Sequence, residues 1–175
     1  MSDISSERAD ILALLDDQRH NFLITVRGID DEQARTRSTV SDLTLGGLVK
    51  HVTHTERDWI RKILERDETA QFDMETAMGT YYMADGETID GLLDDYRAAA
   101  EETARVVASL DDLDLRIPLP TAPWAPEREW WSARRVLLHV LRETSHHSGH
   151  ADIIRESLDG ANTTMQMGAD AGMEF

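Results

Sequence analysis

SARRVLLHVLRETSHHSGHADIIRESLDG, residues Ser132 to Gly160, reads as one long helix with a serine to cap its start and Asp159 and Gly160 to stop it. At ~100° per residue, with His139 as zero, Glu143 falls at ~40°, His147 at ~80°, His150 at ~20° and His146 at ~-20°. Val136, Val140, Ile154 and Leu158 fall at ~60° to ~100° on that scale, whereas Arg142, Ser145, Asp152 and Glu156 point away. The helix therefore carries a carboxylate and several imidazoles along the stripe that faces the core. Such groups are costly to bury unpartnered, and a divalent cation is one of few partners able to satisfy them together.

Three more apolar stripes precede it. From about Ser6 to Arg27, Ile11, Leu15, Phe22 and Val26 repeat at helical spacing, with Gly28 placed to end the helix. Thr44 caps a second stripe of Leu45, Leu48, Val52, Trp59 and Ile63, although Gly46 and Gly47 weaken its first turn. Thr88 caps a third, Ile89, Leu92, Tyr96, Ala99, Thr103, Val106 and Leu110. Ile29 to Leu43 is a polar connector with room for a single turn capped by Asp30 or Asp31. Asp67 to Glu87 lacks clear periodicity, which at that length means a functional lid or a mobile linker. Asp111 to Trp131 holds all four prolines and must cross over as a loop. No strand-like alternation of useful length and no internal repeat interrupts the pattern. The expected fold is all-α: an up-down-type four-helix bundle with long connections over residues 1–160, then a flexible tail, 161–175.

The chain of 175 residues is 41% hydrophobic and carries a formal charge of -16, so most of its surface would repel a nucleic acid backbone. It has no cysteine, which excludes disulfides, thiolate metal ligands and a protein thiol nucleophile. Any thiol chemistry must borrow its sulfur. Met1 to Asp10 is polar and acidic, unlike a signal peptide, and no stretch approaches the ~20 apolar residues of a membrane span, so no membrane partner and a cytoplasmic location are expected.

His51 sits between Leu48 and Val52 on the second stripe and so faces the bundle interior. Glu143 and His147, four residues apart, project side by side, and with His51 they would form a facial triad with open positions for water or substrate. His146 and His150 form a competing pair at the same spacing, and spacing alone does not choose between the two registers. His54 and His139 read as neighbours of the site or alternative ligands, and His20 as an ordinary surface histidine. Trp59, Trp130 and Trp131 could line a pocket or simply pack.

The segments TLGGLVKHVTHTERDW (Thr44 to Trp59) and REWWSARRVLLHVLRETSHHSGHADIIRESLDG (Arg128 to Gly160) resemble the DinB-like, or YfiT-like, metalloenzyme superfamily, closest to its actinobacterial branch. The connector DDEQARTR, Asp30 to Arg37, belongs to the same likeness. The resemblance implies a four-helix bundle, often a homodimer, with one histidine ligand from the second helix and two ligands four residues apart on the last long one. By motif these fall on His51, Glu143 and His147. The mycothiol-dependent maleylpyruvate isomerase is similar in having glutamate at the position of Glu143, and His150 stands where many relatives have glutamine. Related enzymes transfer or isomerise with mycothiol or bacillithiol and use zinc or another divalent ion; the donor set also accepts nickel, iron or manganese. The resemblance thus implies a thiol S-transferase or isomerase acting on a small-molecule substrate. A metal-dependent hydrolase and a noncatalytic metal- or ligand-binding stress protein are the alternatives.

Overall fold

The computed structural model describes residues 6–173. In chain order the elements are α1 (Ser6–Thr25), α2 (Asp31–Arg35), α3 (Leu45–Glu65), α4 (Met74–Gly79), α5 (Ile89–Ser109), β1 (Arg116–Pro118), β2 (Trp130–Ser132), α6 (Ala133–Asp159) and α7 (Thr163–Asp170). The four long helices, α1, α3, α5 and α6, are those expected from the stripes. Their starts are set locally. The side chains of Thr44, Thr88 and Ser132 accept from the backbone N–H of Gly47, Gly91 and Arg135, and Asp30 forms a capping box with Gln33. Gly160 stops α6 with a positive φ of 83°.

Side-chain pairs fix the directions. Arg134 at the start of α6 pairs with Glu7 at the start of α1, and Arg155 near the end of α6 donates to the carbonyls of Thr25 and Arg27. These two helices therefore run parallel. Lys50 pairs with Glu87 and Arg57 with Asp95, so α3 and α5 are parallel too. His147 meets His51 early in α3 and His139 meets Trp59 further along, which makes α6 antiparallel to α3. The helices thus run up, down, down, up. The chain between α3 and α5 must return along the outside of α3, and this is why that connection is long.

The interior holds two apolar clusters, one around Phe22, Leu48, Val52, Tyr96 and Ile154, the other around Leu15, Ile60, Val107, Ile117 and Leu137. Between them along each helix come Arg19, Glu56, Thr103 and, on α6, Thr144 and His147, all buried. The Arg19 guanidinium grips both oxygens of Glu56, and the Thr103 hydroxyl donates to the same carboxylate. A charged pair buried this deeply holds only because each partner is satisfied.

One expectation needs correction, and two further segments carry more local structure than their pattern showed. Asp111 to Trp131 is not entirely loop, because β1 and β2 pair antiparallel at its two ends, with Ile117 opposite Trp131. Strands of three residues are too short to show alternation. The segment Asp67 to Glu87 contains α4, and it is tied to the proline-rich loop by the Phe72 N–H to Thr121 carbonyl and Thr121 N–H to Ala70 carbonyl bonds. Within the tail, α7 docks on the bundle: Arg27 pairs with Asp170, the Gln166 amide donates to the Ile24 carbonyl, and the Thr163 N–H donates to Asp152. Its few apolar residues gave the tail too little pattern to read as a helix, and 174–175 lie outside the described residues. Among the described residues no helix is long and apolar enough to cross a membrane.

Candidate metal centre

The antiparallel contact of α3 with α6 brings one donor atom from each of His51, Glu143 and His147 to within 4.8 Å of one another. His147 is buried and the other two are half-buried. His54, His139, His146 and His150 do not join that group, although three of them surround it. His139 lies 3.6 Å from Glu143, His150 touches His147, and His146 packs edge-on to His147 from an exposed position. His147 turns into the bundle and His146 out of it. His54 faces a cavity beside α3, and His20 is exposed.

Each of the three groups has its second polar atom engaged. Thr80 Oγ1 donates to the Ala77 carbonyl at 2.7 Å and lies 2.8 Å from His51 Nδ1, so it accepts from an Nδ1–H and leaves the lone pair of His51 on Nε2. The Tyr81 ring stacks on the imidazole at 3.9 Å. Arg142 donates to Glu143 Oε1 at 2.7 Å, leaving Oε2 on the side of His147 Nε2, 3.9 Å away. His147 Nδ1 is 3.4 Å from His150 Nδ1. Outer contacts of this kind orient metal ligands and fix their tautomers.

Charge follows the same plan. Burial pushes both imidazoles down to about 4, with His147 adding to the effect on His51 and His150 to that on His147, while Glu143 opposes it in both. Burial alone would raise Glu143, but the Arg142 hydrogen bond and the nearby histidine charges hold its carboxyl below the ordinary range. Near neutral pH the set is two neutral nitrogens and one carboxylate, all in the form a cation binds.

Sequence reasoning missed Thr80, Tyr81 and Arg142, and misread the two glycines of α3. A Cβ at Gly47 would stand 2.0 Å from the Tyr81 carbonyl oxygen, and one at Gly46 would stand 2.1 Å from the Met83 sulfur. The glycines let the returning segment lie directly against the helix and set Thr80 and Tyr81 over His51. The adjacent pair at a helix start was the available signal.

Two cavities reach the centre. One of about 710 Å3 runs between α3, the 67–82 segment and the proline-rich loop, with His51 and Tyr81 among its walls. The other, about 310 Å3, is lined by Tyr81, Arg142, Glu143, His146 and His147. Trp59 and Trp131 stack at 5.2 Å with His139 edge-on to both, so of the expected pocket aromatics Trp59 alone lines the larger cavity while packing as well.

The sequence profile of mycothiol-S-transferase matches residues 10–160. The chain belongs to the mycothiol-S-transferase family. No curated protein matches it. Among solved structures it is similar to YfiT from Bacillus subtilis, described as "a probable metal-dependent hydrolase with an unusual four-helix bundle topology". The identity is 18%, the alignment covers 99% of this chain and 93% of that one, and the TM-score is 0.58. The shared feature is the fold, the DinB-like four-helix bundle, as the sequence resemblance implied.

Proposed function

We propose that the protein is a metal-dependent thiol S-transferase or isomerase of the mycothiol type, with His51, Glu143 and His147 as ligands to one divalent ion. The observation that carries this reading is the convergence of those three donors in a member of the mycothiol-S-transferase family. The residues fit a metal: two imidazoles and one carboxylate, donor types that zinc takes, stand within 4.8 Å of one another. Zinc suits the set best, and nickel, iron or manganese are compatible with it. A bound ion would lower the pKa of a coordinated thiol and present its sulfur to an electrophile.

The chain's own residues prepare that chemistry. Thr80 and His150 hold the imidazole nitrogens that face away from the centre, Arg142 holds one oxygen of Glu143, and the Tyr81 ring stacks on His51. In a transfer the thiol gives up its proton, its sulfur lone pair forms the new C–S bond, and the electron pair of the broken bond departs with the leaving group. With no cysteine in the chain, the sulfur comes from the small thiol. A homodimer, implied by the resemblance, completes this reading, together with a cytoplasmic location.

Metal-loaded protein incubated with mycothiol and monochlorobimane should accelerate conjugation well above a His147→Ala control; equal rates would contradict the proposal. Turnover without thiol that chelation abolishes would instead favour hydrolysis, the activity named in the description of YfiT. A melting temperature lowered by chelation, with no turnover on any substrate, would favour a binding protein.

A further inference from the structure

A reaction between two small molecules needs two approaches to one point, and the two cavities meet at Tyr81 beside the donor trio. We propose that the larger cavity receives the electrophile, an uncharged, largely apolar and planar molecule, while the thiol reaches the centre through the smaller one; this rests on the transferase reading above.

The larger cavity has the size of a site that encloses a small organic ligand. Its outer walls are Phe72, Met74, Met78, Leu119 and Trp124. Phe72 comes from the returning segment and Trp124 from the proline-rich loop, and their rings meet edge to face at 5.3 Å. These are costly residues to leave in water: Phe72 is 42% exposed and Trp124 62%. A contiguous apolar lining with a polar rim marks a ligand groove, and aromatic walls favour a planar guest. Met74 and Met78 bend to fit varied outlines, which suits a family of electrophiles more than one fixed partner.

Charge argues against an anionic guest. The cations that line this cavity near α3, Arg61 and Lys62, both pair with Asp58, and Arg61 also reaches Glu65, so neither is free to meet a substrate carboxylate or phosphate. The smaller cavity is the opposite in character. Arg142, Glu143, His146 and His147 present hydrogen-bonding groups, which suit a polar thiol. At the junction the thiol sulfur bonds to the electrophilic carbon; with monochlorobimane the carbon–chlorine electron pair leaves as chloride and the thiol proton passes to solvent.

The test uses the full chain, zinc-loaded, and a Phe72→Ala/Trp124→Ala variant whose exposed positions leave the bundle intact. Binding of tetramethylbimane, which has no leaving group, is followed by fluorescence without thiol. It should weaken at least tenfold in the variant. In turnover, KM for monochlorobimane should rise at least tenfold while KM for mycothiol stays within twofold. Unchanged tetramethylbimane affinity, or a rise in the thiol KM in place of the bimane KM, would overturn the assignment. If tetramethylbimane binding depends on Phe72 and Trp124 but no thiol supports turnover, the cavity assignment stands and the transferase reading falls.

Discussion

A methyl group at Gly47 would sit 2.0 Å from the Tyr81 carbonyl oxygen. Ordinary contact requires that oxygen to withdraw by about 1.4 Å. Alanine itself favours α3 by roughly 0.5–1 kcal/mol over glycine, so loss of helix is not the expected effect of Gly47→Ala. The damage falls on the segment that carries Thr80 and Tyr81. Thr80 accepts from His51 at 2.8 Å and the Tyr81 ring stacks on that imidazole at 3.9 Å, and a shift beyond an ångström breaks the first and opens the second. Removing such an outer contact typically weakens metal binding by about 10–100-fold. Competition with a chromophoric zinc chelator should show that loss, with far-UV circular dichroism unchanged. Zinc affinity within twofold of wild type would refute the idea that the glycine pair seats the returning segment over the site.

Thr80→Val removes the acceptor for His51 Nδ1–H and should lower zinc affinity by about tenfold or more, whereas Thr80→Ser should restore it; equal affinities for both variants would contradict the tautomer assigned to His51. Arg19→Met strands the buried Glu56 carboxylate and should cost about 3–5 kcal/mol in urea denaturation, with Arg19→Met/Glu56→Leu recovering most of it; an equally unstable double variant would contradict that account. The metal-free protein should also lose stability in acid. His51 and His147 titrate near 4 when folded and near 6.5 when unfolded, so below pH 6.5 the unfolded chain binds more protons. Their contribution is complete above pH 6.5 and is lost as pH falls towards 4, and a His51→Gln/His147→Gln variant should show a flatter urea-midpoint profile across that window. Matching profiles would contradict the assignment.

The elements that sequence reading found are those governed by short-range rules. Thr44, Thr88 and Ser132 cap helices through contacts three residues away, and the apolar stripes carry their own period. The choice between Glu143/His147 and His146/His150 was not legible from spacing, because both pairs sit four apart and only the approach of α3 decides which side of the seam is interior. The resemblance supplied that choice. Arg19 and Glu56 occupy gaps in two stripes, between Leu15 and Phe22 and between Val52 and Ile60, and a charge in such a gap reads as solvent-facing until its opposite is seen across the bundle. The roles of Gly46, Gly47, Thr80 and Tyr81 depend on a connection that returns along α3, and local pattern carries no information about that path.

The proposed centre is one ion held by two imidazoles and one carboxylate from α3 and α6. Elemental analysis of protein purified without a histidine tag should find about one equivalent of divalent metal in the wild type and little in His51→Ala, Glu143→Ala or His147→Ala, while His146→Ala retains it. Full metal content in any of the first three, or its loss in His146→Ala alone, would contradict the account.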